Sequence, residues 1–425
     1  MPTATPTAPH IASSAAIIDA ATRRVRLDIR DPAFYRDPLP TYAALHATCP
    51  AFFWEEPGQW FFTGYDQVNA LLRDRRFGRQ ILHVATREEL GMPDPKPHLA
   101  DFDRLEHHSL LELEPPAHTR LRTLVNRAFV SRHVETLRPE IAALCHSLID
   151  GFEADGRVEL LKTYAEIVPV TVIARMLGIP VEIAPSLLDW SHRMVKMYVF
   201  NPSVETEHDA NRASAEFDAY LRGIVAWKRD NPGDDLLTHM ITAEKDGERL
   251  SEDELVSTAV LLLNAGHEAT VHQLGNAVAT ILQTGADPAM LFADDTATER
   301  TVEECMRYAA PLHIFQRHAL SDIDLEDGIS LRKGDRIGLM LAAANVDPRK
   351  FTDPSTFRPD RNEGPHLSFG AGIHFCIGAP LARLELRLSL PILFERLPGL
   401  RLAAEPAFKD SYHFHGLERL DLAWG

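Results

Sequence analysis

Cysteine is scarce in these 425 residues: Cys49, Cys145, Cys305 and Cys376 stand far apart, and no C-x-x-C pair occurs. Neither a disulfide framework nor a structural zinc site is suggested, and a reducing cytoplasm is the expected location. Long apolar runs are also missing. The N-terminal stretch MPTATPTAPHIASSAAIIDAATRRV has no basic segment leading into an apolar core, so neither a membrane span nor a signal peptide is expected. Basic residues are outnumbered, 44 against 61 acidic ones, and scattered; with a net charge of −17, nucleic acid is not an expected partner. What remains is 45% hydrophobic and 25% charged, enough for a large globular core. Residues 1–25, opening on Pro, Thr, Ala and Ser, are expected to form a disordered tail.

Periodicity and punctuation divide the rest. Phe52-Phe53-Trp54 and Trp60-Phe61-Phe62 flank Pro57-Gly58 and predict a hairpin, followed by a helix over Tyr65 to Arg73. From Gly78 to Leu113 periodicity fades, and Gly91-Met92-Pro93-Asp94-Pro95-Lys96-Pro97 predicts a long loop. Residues 135–246 read as mainly helical, broken at Gly156, Gly178-Ile179-Pro180, Asn201-Pro202 and Asn231-Pro232-Gly233. Ser251 to Thr284 is a long periodic segment opened by the capping box Ser251-x-x-Glu254 and closed by Gly285. At its middle, Gly266 requires a packing or a ligand reason, because a glycine there costs about 1 kcal/mol against alanine.

The residue to explain is Cys376, in HLSFGAGIHFCIGAPLARLELR. A glycine-rich stretch precedes it, and Pro380 with Leu381, Leu384 and Leu388 opens a helix after it. Helix-start N–H groups aimed at the sulfur are expected to hold it as thiolate, the metal-ligating form. One alternative is a buried small hydrophobe, which accounts for none of the glycines. Another is a nucleophile paired with His374, for which no orienting third group is visible. The third is axial ligation of haem iron.

The pattern Phe369-Gly370-x-Gly372-x-His374-x-Cys376-x-Gly378 resembles the haem-binding loop of the cytochrome P-450 superfamily, in its soluble bacterial class. Further groups match in the family's order. Pro115-Pro116-Ala117-His118-Thr119-Arg120-Leu121-Arg122 resembles the helix that donates to a haem propionate; without that resemblance, it is a solvated basic face. Ala265-Gly266-His267-Glu268 resembles the oxygen-binding segment, with Glu268 as its acid. The family's usual threonine is absent: position 269 is Ala269, and Thr270 lies about 100° further around the helix. Glu304 and Arg307 match the family's E-x-x-R pair, with Arg361 as its third member; by themselves they would be a weak surface pair. Arg317 falls in register with a second propionate arginine.

The resemblance implies a mainly α fold with small β-sheets over residues 26–425, one domain, with haem b between the long central helix and the cysteine-loop helix. Cys376 would be the iron ligand. His118, Arg122, Arg317 and His374, with His366 as a helper, would meet the propionates, and Phe369 and Gly370 would lie against the macrocycle. Ala265, Gly266, Glu268 and Thr270 would form the oxygen site, while Glu304, Arg307 and Arg361 support the loop. The implied activity is monooxygenation of an apolar small molecule by dioxygen, with electrons from a separate ferredoxin or flavodoxin and its reductase. Arg120, Arg127, Arg383 and Arg387 would offer that carrier a basic patch, and Leu312 to Phe315 would line the pocket. Lys96, His98 or Arg193 would be candidates to meet a substrate carboxylate, against the plainer reading of solvated charges. Ala269 leaves open a peroxide-dependent or non-hydroxylating haem-thiolate enzyme, and a haem-based ligand sensor or carrier is the alternative outside enzymes.

Overall fold

The computed structural model describes residues 10–13, 15–128, 131–199, 201–245 and 247–425. Along the chain, strands β1 (His10–Ser13), β2 (Ala16–Asp19) and β3 (Arg24–Leu27) lead to β4 (Ala51–Trp54), β5 (Gln59–Phe62), helix α1 (Tyr65–Arg73) and β6 (Phe77–Gly78). A helical stretch contains α2 (Ala117–Ala128), α3 (Arg138–Asp150), α4 (Ile167–Met176), α5 (Ala184–Val195), α6 (Val204–Asp230), α7 (Glu252–Thr284) and α8 (Asp295–Tyr308). Strands β7 (Ile314–Ala319) and β8 (Arg336–Met340) follow, and α9 (Ala379–Arg396) begins three residues after Cys376.

These elements form two compact units, each drawn from separated segments. The first comprises residues 1–81, 303–375 and 407–418; the second, residues 82–302, 376–406 and 419–425.

In the first unit the main sheet runs in the order β1-β2-β3-β4-β5-β8-β7-β6. The expected hairpin is there: Ala51 pairs with Phe62 and Trp54 with Gln59, and Phe52, Trp54, Phe61 and Phe62 are buried. β5 and β8 run parallel with Phe61 opposite Gly338, where an added Cβ would lie 2.1 Å from the Phe61 ring. The expected tail over residues 1–25 needs correction. Residues 1–9 lie outside the described residues, but β2 and β3 extend the sheet and bury Ile18 and Val25. Alternation of apolar and polar side chains suits those residues to a half-buried edge, and the polar opening residues hid that pattern.

The second unit is helical around α7. Ser251 caps it as expected: its hydroxyl accepts from the Glu254 N–H, and the Glu254 carboxylate accepts from the Ser251 N–H. Most of α7 is buried, so packing rather than propensity fixes its length. It contacts α4, α5, α6 and α9. A small sheet of Arg401–Leu402, Asp421–Ala423 and Arg157–Glu159 closes this unit. The expected loop from 78 to 113 is a second correction: Ala100–His107 is α-helical, its acidic first turn and buried Phe102 and Leu105 being a short amphipathic signal that the neighbouring prolines masked.

Candidate active site

Cys376 is half-buried at the start of α9, and the N–H groups of Gly378 and Ala379 point at its sulfur. Burial pushes its thiol up; those N–H groups, Arg122 and Arg383 oppose this without reversing it. The expected standing thiolate is therefore corrected: desolvation outweighs the helix start, and the sulfur needs a stronger cation to lose its proton. α2 supplies His118, which is buried, and the partly buried Arg122, whose guanidinium is pulled below its usual value by burial while the Cys376 sulfur opposes.

Above the middle of α7 the burial pattern breaks. Asn264, His267 and Glu268 are buried, yet Ala265 between them is exposed, so an open surface lies over that turn. Gly266 has another role: an added Cβ would sit 3.3 Å from Ile173 Cγ1, so this glycine lets α7 approach α4, the packing explanation rather than the ligand one. Ala269 is half-buried, and the Thr270 hydroxyl donates to the Gly266 carbonyl at 3.1 Å within an unbroken α-helix. A bulge that would swing Thr270 into position 269 is not present.

Glu268 is ringed by imidazoles. Its Oε1 lies 3.1 Å from His192 Nε2 and 3.5 Å from His267 Nε2, and its Oε2 3.6 Å from His272 Nε2. Burial alone would raise the carboxyl, but the three histidines bring it down to about 2. Sequence reading missed them. His272, four residues after Glu268, was visible at helical spacing; His192, on α5, left no signal.

In the first unit, Phe369 to His374 forms the other half of the motif. Gly370 and Gly372 have φ of 67° and 72°, and an added Cβ at Gly372 would fall 2.5 Å from the Leu72 carbonyl oxygen. Gly370 sits over Phe315, whose ring lies beneath the guanidiniums of Arg79 and Arg317. Arg317 is buried and donates to the Gln316 carbonyl at 2.9 Å. Glu304 accepts twice from Arg307 at 2.7 Å, from Arg361 at 3.0 Å and from the Arg358 N–H at 2.7 Å. Arg307 also donates to the carbonyls of Asn345, Pro354 and Thr356. Asn345 in turn accepts from the Leu367 N–H and donates to the Ser368 hydroxyl, fixing the chain that enters the glycine loop.

A family model described as Cytochrome P450 matches residues 295–398. Cytochrome P450 monooxygenase PikC of Streptomyces venezuelae is 37% identical over 92% of this chain and 92% of its own. The biotin biosynthesis cytochrome P450 of Bacillus subtilis is 32% identical over 92% and 97%. The solved structure of P450BioI with acyl carrier protein ligated to hexadec-9Z-enoic acid superposes with a TM-score of 0.85 at 31% identity, covering 92% of this chain and all of the other.

The chain belongs to the cytochrome P450 family. As a P450 it is an oxidoreductase, a haem-dependent monooxygenase of mainly helical fold with small sheets. The residues fit the cofactor. A sulfur backed by two N–H donors, an adjacent guanidinium and buried imidazole on α2, and an exposed alanine on an otherwise buried helix are the donor set and approach surface that a haem requires.

Other expectations change in the P450. His366, the expected propionate helper, is engaged by the protein's own groups: its Nδ1 accepts from the Ser368 N–H, and its Nε2 lies 3.3 Å from Glu303. His313, expected to line the pocket, is buried with Nδ1 2.9 Å from the Tyr42 hydroxyl and its ring stacked on His415. Lys96 and His98 both meet Glu207, and Arg193 meets Asp189, Asp209 and Glu216, so these cations are held by the protein's own carboxylates. In the expected basic patch, Arg120 is paired with Glu254, and Arg387 lies 3.8 Å from Glu299. The side chain of Arg127 lies outside the described residues. No helix among the described residues is long and apolar enough to cross a membrane.

Proposed function

We propose that this P450 holds haem b and inserts one atom of dioxygen into an apolar small-molecule substrate, taking electrons in the cytoplasm from a separate ferredoxin or flavodoxin with its reductase. Residues from β1 onwards, 10–425, act in this reading as one cytochrome P450 domain, the boundary of 26 moving back with the sheet edge. The observation that carries it is the setting of the Cys376 sulfur, with two backbone donors directed at it and the positive charge of Arg122 nearby. Bound haem supplies the activation of dioxygen; the chain positions, protonates and excludes water. Cys376 is the iron ligand, and its N–H donors spread the charge of the sulfur and tune the metal. His118, Arg122, Arg317 and His374 would hold the propionates. Phe369 and Gly370 would lie against the macrocycle, and the exposed Ala265 would leave room beside α7.

Glu268 remains ionised throughout the neutral range and is a fixed acceptor that orients a proton donor, with the partly exposed His192 linking it to solvent. Ala269 offers no hydroxyl, so His192, oriented by the Glu268 carboxylate, takes over proton supply in this reading. Glu304, Arg307 and Arg361 keep the loop in place. An apolar substrate is supported by the engagement of Lys96, His98 and Arg193 with protein carboxylates, and by the acyl chain carried in the P450BioI complex.

Two experiments test this. Cys376→Ala should lose the ferrous carbon-monoxide spectrum of a thiolate-ligated haem; a variant that keeps it refutes the ligand assignment. A panel of acyl chains and other apolar compounds should contain one that shifts the haem from low to high spin, and its product formed under ¹⁸O₂ should carry the label. A specific observation favours a second reading, use of peroxide: the Thr270 hydroxyl is committed to Gly266 and position 269 has none. Turnover without ¹⁸O incorporation from dioxygen would establish that reading instead.

A further inference from the structure

Beside Glu268, two side chains face each other in a way that hydrogen bonding does not satisfy. His267 Nδ1 lies 2.8 Å from the Leu263 carbonyl oxygen; a carbonyl only accepts, so Nδ1 carries the hydrogen. In the neutral imidazole, Nε2 is then a bare lone pair, aimed from 3.5 Å at a carboxylate oxygen that is also all lone pair. Both atoms are buried, and neither has a hydrogen-bond partner of acceptable geometry. Such a pair repels unless a positive species lies between the two atoms. His192 Nε2 approaches the same oxygen at 3.1 Å, and the three ligand atoms lie within 4.8 Å of one another. Tetrahedral ligands about 2.0–2.1 Å from zinc stand about 3.3–3.4 Å apart, which the 3.1 and 3.5 Å separations from the carboxylate oxygen match, and two imidazoles with one carboxylate favour zinc-class ions over magnesium or calcium.

We propose that His192, His267 and Glu268 form a binding site for a zinc-class divalent cation, with a water as fourth ligand. The supporting shell is already in place. The Leu263 carbonyl fixes the His267 tautomer, and His272, 3.6 Å from the other carboxylate oxygen, holds Glu268 in orientation. His192 is 40% exposed and gives the ion a way in. Because His192 belongs to α5 and the other two ligands to α7, the ion ties these helices together. It also occupies the carboxylate that the proposed function uses for proton supply, so occupancy inhibits turnover. The site itself does not depend on that role.

The test is equilibrium dialysis of the haem-loaded, tag-free protein against zinc sulfate, with zinc counted per chain, and thermal melting with and without zinc. The parent should bind one zinc and melt higher in its presence. His192→Ala, at a partly exposed position, and Glu268→Gln should each bind at least about tenfold more weakly and lose the shift in melting. A parent that takes up no zinc, or variants that bind it as tightly as the parent, would overturn the proposal and leave a proton, as imidazolium, between His267 and Glu268. Neither result bears on whether Cys376 binds iron, which the carbon-monoxide spectrum decides separately.

Discussion

The chain contains the same four-residue Glu-x-x-Arg pattern twice, once within α8 and once where the helix Ser131–Thr136 gives way to α3. Glu304 and Arg307 are both 3% exposed; Glu135 and Arg138 are 57% and 41% exposed and also bond, at 2.9 and 3.1 Å. Replacing each arginine by lysine keeps the charge and removes the planar fork. At position 307 the fork makes five bonds, two to Glu304 and one each to the Asn345, Pro354 and Thr356 carbonyls. A lysine ammonium can keep a contact with Glu304 but not reach the three carbonyls together. Each lost charged bond is worth about 1.5–3 kcal/mol, reduced by whatever relaxation or entering water recovers. Arg307→Lys should therefore cost about 3–5 kcal/mol, as expected for breaking a buried ionic network. Arg138→Lys should cost below about 0.5 kcal/mol, since solvent already screens that pair. The assay is the urea midpoint of the haem-loaded protein with m unchanged. If Arg307→Lys lies within about 1 kcal/mol of the parent, or the two variants are equally stable, the argument that burial separates the two pairs is wrong.

Two further perturbations test other parts of the structure. Glu385 on α9 is buried with neither carboxylate oxygen bonded, and burial pushes its carboxyl from 4.5 up to about 8. The folded state keeps the proton where the unfolded chain has lost it, so the group weakens the fold as pH rises from 4.5 towards 8. Glu385→Gln should be more stable than the parent by about 2–4 kcal/mol at neutral pH, the gap narrowing on acidification; urea midpoints at pH 5 and 7.5 that show no such trend would exclude it. Gly372→Ala places a Cβ at positive φ and 2.5 Å from the Leu72 carbonyl oxygen. It should cost at least about 2 kcal/mol and weaken haem retention, and a variant with the parent's melting temperature would show that this backbone yields easily.

The sequence alone settled those features that depend on neighbours along the chain. The aromatic hairpin, the capped helix α7 and the cysteine at a helix start are local patterns of spacing and turn chemistry, and each formed where the spacing placed it. Motif order along the chain was sufficient to indicate the family. Tertiary structure decided whatever depends on what packs opposite. It buried one Glu-x-x-Arg pair and left the other in water, and it set desolvation against the helix start at Cys376. It turned Gly266 towards Ile173 and drew residues after position 14 into a sheet edge. It also brought His192 beside Glu268 from a different helix. Solvation and long-range approach are properties of the folded surroundings, and the same residues at the same spacing carry no record of them.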